Sequence, residues 1–184
     1  MADQWISVLV IQAAVCSVAF GQRDDRGTVR PDTTYLVHGL MDDAGYSALR
    51  IAGSEFGIGY KGMSGCHPLT KPQSDSVDRV NARVDSVLIA RRGVDALREL
   101  QSRVKELNDD LVLVDSALSV DARFMDVLDS AKSDPENLLG IEYEPCALGC
   151  YRALIKIGRR PGALPVVSRM EFVVDRERRL AYRR

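Results

Sequence analysis

The sequence predicts an α+β fold: a long amphipathic helix or helical hairpin packed with a C-terminal antiparallel β-meander, preceded by an apolar N-terminal segment. Two changes of periodicity carry this expectation. Between Gln73 and Ser133 there is no proline, and apolar residues recur at spacings of three and four, the pattern of a helix seam. From Leu138 onward the spacing falls to two, as in strands with one solvated face. Such a sheet needs a cover for its apolar side, and the helical stretch is the natural one.

In chain order, the organisation divides into 1–22, an apolar leader, anchor or buried element; 23–72, a linker and glycine-rich loop region; 73–133, the coiled-coil-like helical segment; and 138–184, the meander. The first segment is uncharged from Gln4 to Gln22, with a dense apolar core from Trp5 to Phe20. That core suits a signal peptide better than a membrane span of about 20 apolar residues, and Ser17-Val18-Ala19 supplies the small residues a signal peptidase needs. Against export, Asp3 replaces the expected basic residue and the first arginines, Arg23 and Arg26, follow the apolar run. A buried strand through Ile6–Ile11 is the competing reading. Residues 5–20 are the segment available for membrane contact. A functional leader places the protein outside the cytoplasm or at a membrane; a buried one leaves it cytoplasmic or particle-associated.

After a polar linker, residues 33–37 form a strand and 41–56 a helix capped by Asp42 or Asp43. Glycines and two prolines make 57–72 a long loop. The helical segment opens with Ser74 or Ser76 as cap and carries its seam on Val77, Val80, Val84, Val94 and Leu97, then Leu100, Val104, Leu107, Leu111, Val114 and Leu118. Gly93 and Asn108-Asp109-Asp110 are the two places where one rod would break into a hairpin, and a third helix fits 121–132. The apolar runs Val87–Ala90 and Leu111–Val114 also fit strands of a β-α-β unit; the continuity of the seam through both favours helix. Turns at 158–162 and 175–178 divide the meander into three or four strands.

Among the motifs, Gly57-Ile58-Gly59-Tyr60-Lys61-Gly62 matches the dinucleotide fingerprint, but the following Met63-Ser64-Gly65-Cys66-His67-Pro68 opens no helix to hold a phosphate. His38 follows a strand as in serine hydrolases, yet no G-x-S-x-G elbow is present in the sequence. Of the 4 cysteines, Cys16 lies in the leader, which leaves Cys66, Cys146 and Cys150 as disulfide candidates. The same thiols with His67 give only a weak zinc pattern, and buried thiols in a reducing compartment are the third reading. Glu142 and Glu144 share one strand face as a solvated pair, an acid/base pair or a cation site. No metal, cofactor or catalytic residue is assigned.

At 184 residues and 46% hydrophobic composition the chain can bury a full core. Its net charge of −1 speaks against a nucleic-acid partner, although Arg152 onward carries ten basic residues against three acidic ones. The expected function is therefore a non-enzymatic structural or assembly protein that meets a second copy or another protein through its helical seam. The alternative is a small extracytoplasmic ligand-binding protein or enzyme with a site near Cys66, His67 and Glu142. A further alternative is nucleic-acid or virion association through the basic C-terminal strands.

Overall fold

The structure is a computed structural model that describes residues 33–38, 42–63, 68–159 and 164–184. The predicted leader at 1–22 lies outside the described residues. Strand β1 (Thr34–His38) leads into helix α1 (Asp43–Phe56) and strand β2 (Gly59–Met63), which lies parallel to β1 with Thr34 opposite Gly59 and His38 opposite Met63. Asp42 caps α1, its carboxylate accepting from the Gly45 N–H at 2.6 Å. Gly57, at φ 70°, ends the helix in the left-handed conformation and lets the Ile58 N–H return to the Gly53 carbonyl at 2.8 Å.

The loop expected over 57–72 is thus corrected at its start. Gly59–Met63 is a strand, because the chain turns back sharply enough for Tyr60 to stack on Tyr35 with ring centroids 5.4 Å apart. Of the dinucleotide-like glycines, Gly57 makes this reversal, and Gly59 and Gly62 lie within β2. Gly53 permits the close return: a Cβ there would sit 2.6 Å from the Tyr60 ring and 2.8 Å from the Ile58 carbonyl oxygen. Gly53→Ala is therefore expected to lower stability by about 1–2 kcal/mol in urea unfolding, since overpacking outweighs the roughly 1 kcal/mol that alanine contributes to a helix.

Helices α2 (Lys71–Arg92), α3 (Ala96–Leu118) and α4 (Ala122–Lys132) follow. The cap of α2 is Thr70, four residues before the predicted Ser74. Pro72 fits the first turn, where its missing N–H is no loss, and Gln73 Oε1 accepts from the Thr70 N–H at 2.9 Å. The rod breaks at Gly93, φ 96°, and runs uninterrupted through Asn108-Asp109-Asp110, where a break was equally expected. Both apolar runs proposed as β-α-β strands are helical, since Val84, Leu88, Leu107 and Val114 extend them at helical spacing. Asp121 caps α4 through the N–H groups of Arg123 and Phe124, at 2.9 and 3.3 Å.

The meander consists of β3 (Leu138–Ala147), β4 (Cys150–Gly158), β5 (Val166–Asp175) and β6 (Leu180–Arg183), adjacent in chain order and antiparallel throughout. Its inner face, with Tyr143, Tyr151, Ile155, Met170 and Phe172, belongs to the core with Ala48 and Ile51 of α1 and Leu107, Leu111 and Val114 of α3. Helix α1 also lies along the free edge of β3. Asp43 Oδ2 accepts from the Ile141 N–H at 3.3 Å and Ser47 Oγ from the Tyr143 N–H at 3.2 Å. One helical step of four residues, about 6 Å, matches two residues of strand, about 7 Å, so both acceptors meet successive outward N–H groups. Among the described residues no helix is long and apolar enough to cross a membrane.

Candidate functional site

The seam divides in two. Val84, Leu107, Leu111, Val114 and Leu118 are fully buried in the chain's own core, whereas Val94, in the bend between α2 and α3, is 82% exposed and Val80 is half-buried. The remaining seam residues line a cleft of about 910 Å³ between α2, α3, α1 and β1, with Val77 and Leu100 buried beneath it and Leu97 and Val104 half-buried. The cleft exists because α2 is held to β1 rather than zipped onto α3. Asn81 bonds both backbone groups of Leu36, accepting from its N–H at 2.8 Å and donating to its carbonyl at 3.0 Å. One turn on, the Tyr35 hydroxyl donates to Asp85. At the far end of α2, Arg92 donates to the Glu55 carbonyl at 2.7 Å and lies 4.5 Å over the Phe56 ring.

The floor of the cleft is apolar and its rim carries Asn81, Asp85, Gln101, Lys105 and Asn108. Burial, followed by the Asp85 charge, pushes the Tyr60 phenol up to about 12, and burial with the Asp85 hydrogen bond raises Tyr35 as well. Both rings therefore stay neutral at physiological pH. His38 and Asp42 complete the wall. These groups suit reversible binding: an apolar trough, two stacked phenols and a ring of hydrogen-bonding side chains. Sequence periodicity found the four seam residues but missed Tyr35, Tyr60, Asn81 and Asp85. Asn81 and Asp85, spaced by four on one helix face, were the available signal.

A second polar assembly ties the hairpin to the sheet. Along α3, Arg103, Glu106 and Asp110 share one face. Arg103 pairs with Glu55 of α1 and with Glu106, at 2.8 and 2.9 Å. Arg176, in the β5–β6 turn, bonds Glu106 and grips both oxygens of Asp110 at 2.8 and 2.7 Å. Asp110, 2% exposed, also accepts from the Tyr151 hydroxyl of β4. The neighbouring Tyr143 donates to Asp115 at 2.7 Å. The predicted weak point of the rod is thus its polar anchor.

The other candidate residues are dispersed. Cys66 and His67 lie outside the described residues. Glu142 is engaged by Arg50 and Lys156 across the sheet edge. Cys146 and Cys150 form a disulfide across the β3–β4 turn, with Cα atoms 5.3 Å apart. In the basic C-terminal part, Arg152, Lys156, Arg159, Arg176, Arg178 and Arg183 all pair with carboxylates. Much of the positive charge expected to face an anionic partner is therefore neutralised within the chain. Comparison with protein-family models, with curated proteins and with solved structures yields no match.

Proposed function

We propose that this chain is a non-enzymatic assembly protein that meets a second copy through the groove between α2 and α3. The observation behind this reading is the cleft of about 910 Å³ floored by Val77, Leu97, Leu100 and Val104. Val77 and Leu100 are already buried, so the apolar surface left wet there belongs to the half-buried Leu97 and Val104; it costs about 25 cal/mol per Å², and a side chain laid into the two-helix trough would remove it from water. A strand is a poorer occupant, because Asn81 already takes the Leu36 backbone groups that an added strand would use.

Sedimentation velocity on the full chain over a wide concentration range tests the reading. Wild type is expected to associate with concentration. Val104→Glu, at a half-buried position on the trough floor, is expected to sediment as monomer with unchanged far-UV circular dichroism. A wild type that stays monomeric at every concentration would overturn self-assembly. The cleft volume also falls within the roughly 300–1,000 Å³ of small-molecule pockets, and the Tyr35–Tyr60 stack favours a planar ligand as the second reading.

A further inference from the structure

We propose that the β3–β4 turn is a redox-gated zinc site, closed as the Cys146–Cys150 disulfide and opened by reduction into a Cys146, Cys150, Glu171 ligand set. The two sulfur atoms and one carboxylate oxygen of Glu171 all lie within 4.8 Å of one another. Tetrahedral zinc, with Zn–S about 2.3 Å and Zn–O about 2.1 Å, sets its ligands roughly 3.5–3.8 Å apart, so the carboxylate is within easy reach once the sulfur–sulfur bond opens. Two thiolates and a carboxylate are the mixed soft and hard donors that zinc accepts, and water fills the fourth position.

The fold fixes these donors from two strands. Val173 of β5 stands opposite Cys150 in register, and Glu171, two residues earlier, points to the same face of the sheet. The turn is further tied to β5 by the Val174 N–H, which donates to the Gly149 carbonyl at 2.9 Å. Arg152 orients the carboxylate without consuming it. Its Nε and terminal nitrogen both donate to Glu171 Oε1, at 3.1 and 2.6 Å, which leaves Oε2 for a metal. A carboxylate held on one oxygen by a guanidinium and offering the other to an ion is an outer-sphere arrangement that stiffens metal sites. The guanidinium charge also offsets the excess negative charge of two thiolates and a carboxylate around a divalent ion.

The chemistry balances with a dithiol as reductant. Its thiolate attacks the partly exposed Cys146 sulfur, the buried Cys150 sulfur leaves, and the second thiol of the reductant releases Cys146. Two electrons and two protons pass to the protein, and the reductant becomes a cyclic disulfide. Zinc then displaces the two thiol protons. Disulfide and metal are mutually exclusive occupants of one turn, so the redox poise of the compartment selects between them.

The test uses the full chain, oxidised or reduced with a phosphine, titrated with Co²⁺ and then with Zn²⁺. Reduced wild type is expected to bind one Co²⁺ with a thiolate-to-cobalt charge-transfer band, which Zn²⁺ abolishes; oxidised protein gives no band. Cys146→Ser and Cys150→Ser lose the band, which excludes Cys16 and Cys66 as its source. Glu171→Gln, isosteric and still able to meet Arg152, is expected to weaken Co²⁺ binding at least about tenfold. Absence of the band in reduced wild type, or equal affinity in Glu171→Gln, overturns the proposal. Circular dichroism of each variant separates loss of a ligand from loss of the fold.

Discussion

Arg176→Ala is expected to destabilise the fold by about 3–5 kcal/mol, read as a fall in the urea midpoint. Asp110 is the buried member of the pair, its side chain 3% exposed against 50% for Arg176. Removing the arginine strands a carboxylate in the interior, and an uncompensated buried charge is among the costliest single changes. Asp110→Asn is expected to cost less. It leaves Arg176 half in water and still bonded to Glu106, and the amide oxygen continues to accept from Tyr151. Combining the two substitutions should recover part of the Arg176→Ala loss, because no charge then remains to be compensated. Equal losses for the two single variants would place the energetic weight on the turn geometry instead of the buried carboxylate.

The second large effect is a pH dependence centred on Asp43. Burial raises its carboxyl from 3.8 to about 6; the nearby Asp115 and Asp42 charges push the same way, and the hydrogen bond from Ile141 opposes them. A carboxyl whose folded pKa exceeds its unfolded value holds its proton more tightly in the folded state. The stability it contributes is therefore complete below about pH 4 and is lost as pH rises through about 6, a change on the order of 2–3 kcal/mol. Carboxylates with lowered pKa, such as Glu106 beside Arg103 and Asp121 beside Arg183, act in the opposite sense at lower pH. The clean measurement is the difference between wild type and Asp43→Asn. The variant keeps an acceptor for Ile141, and its stability advantage should grow from pH 4 to pH 7; a difference independent of pH would exclude a raised pKa at this position.

Most of the architecture was legible in the sequence because it follows from local repetition. The period of three to four marked α2 and α3, the period of two marked β3 to β6, and Asp42 and Asp121 marked the starts of α1 and α4. The misreadings came where distant residues decide. Gly59–Met63 looks like a loop until Tyr35 supplies the ring on which Tyr60 stacks. Asn108-Asp109-Asp110 looks like a helix break until Arg176, 66 residues away, neutralises Asp110. The cleft was half visible: its apolar floor repeats along the chain, but its width is set by Asn81 and Asp85 binding a strand 45 and 50 residues earlier. No window of sequence contains that information.

Because α1 spends Asp43 and Ser47 on two successive outward N–H groups in the middle of β3, the flank of the four-stranded sheet that is left more open among the described residues is the short strand β6. Two molecules meeting flank to flank there would exhaust each other's free hydrogen-bonding groups. Lateral accretion of this sheet would then favour a pair, because growth from the β3 flank would first have to displace α1 from the Ile141 and Tyr143 N–H groups.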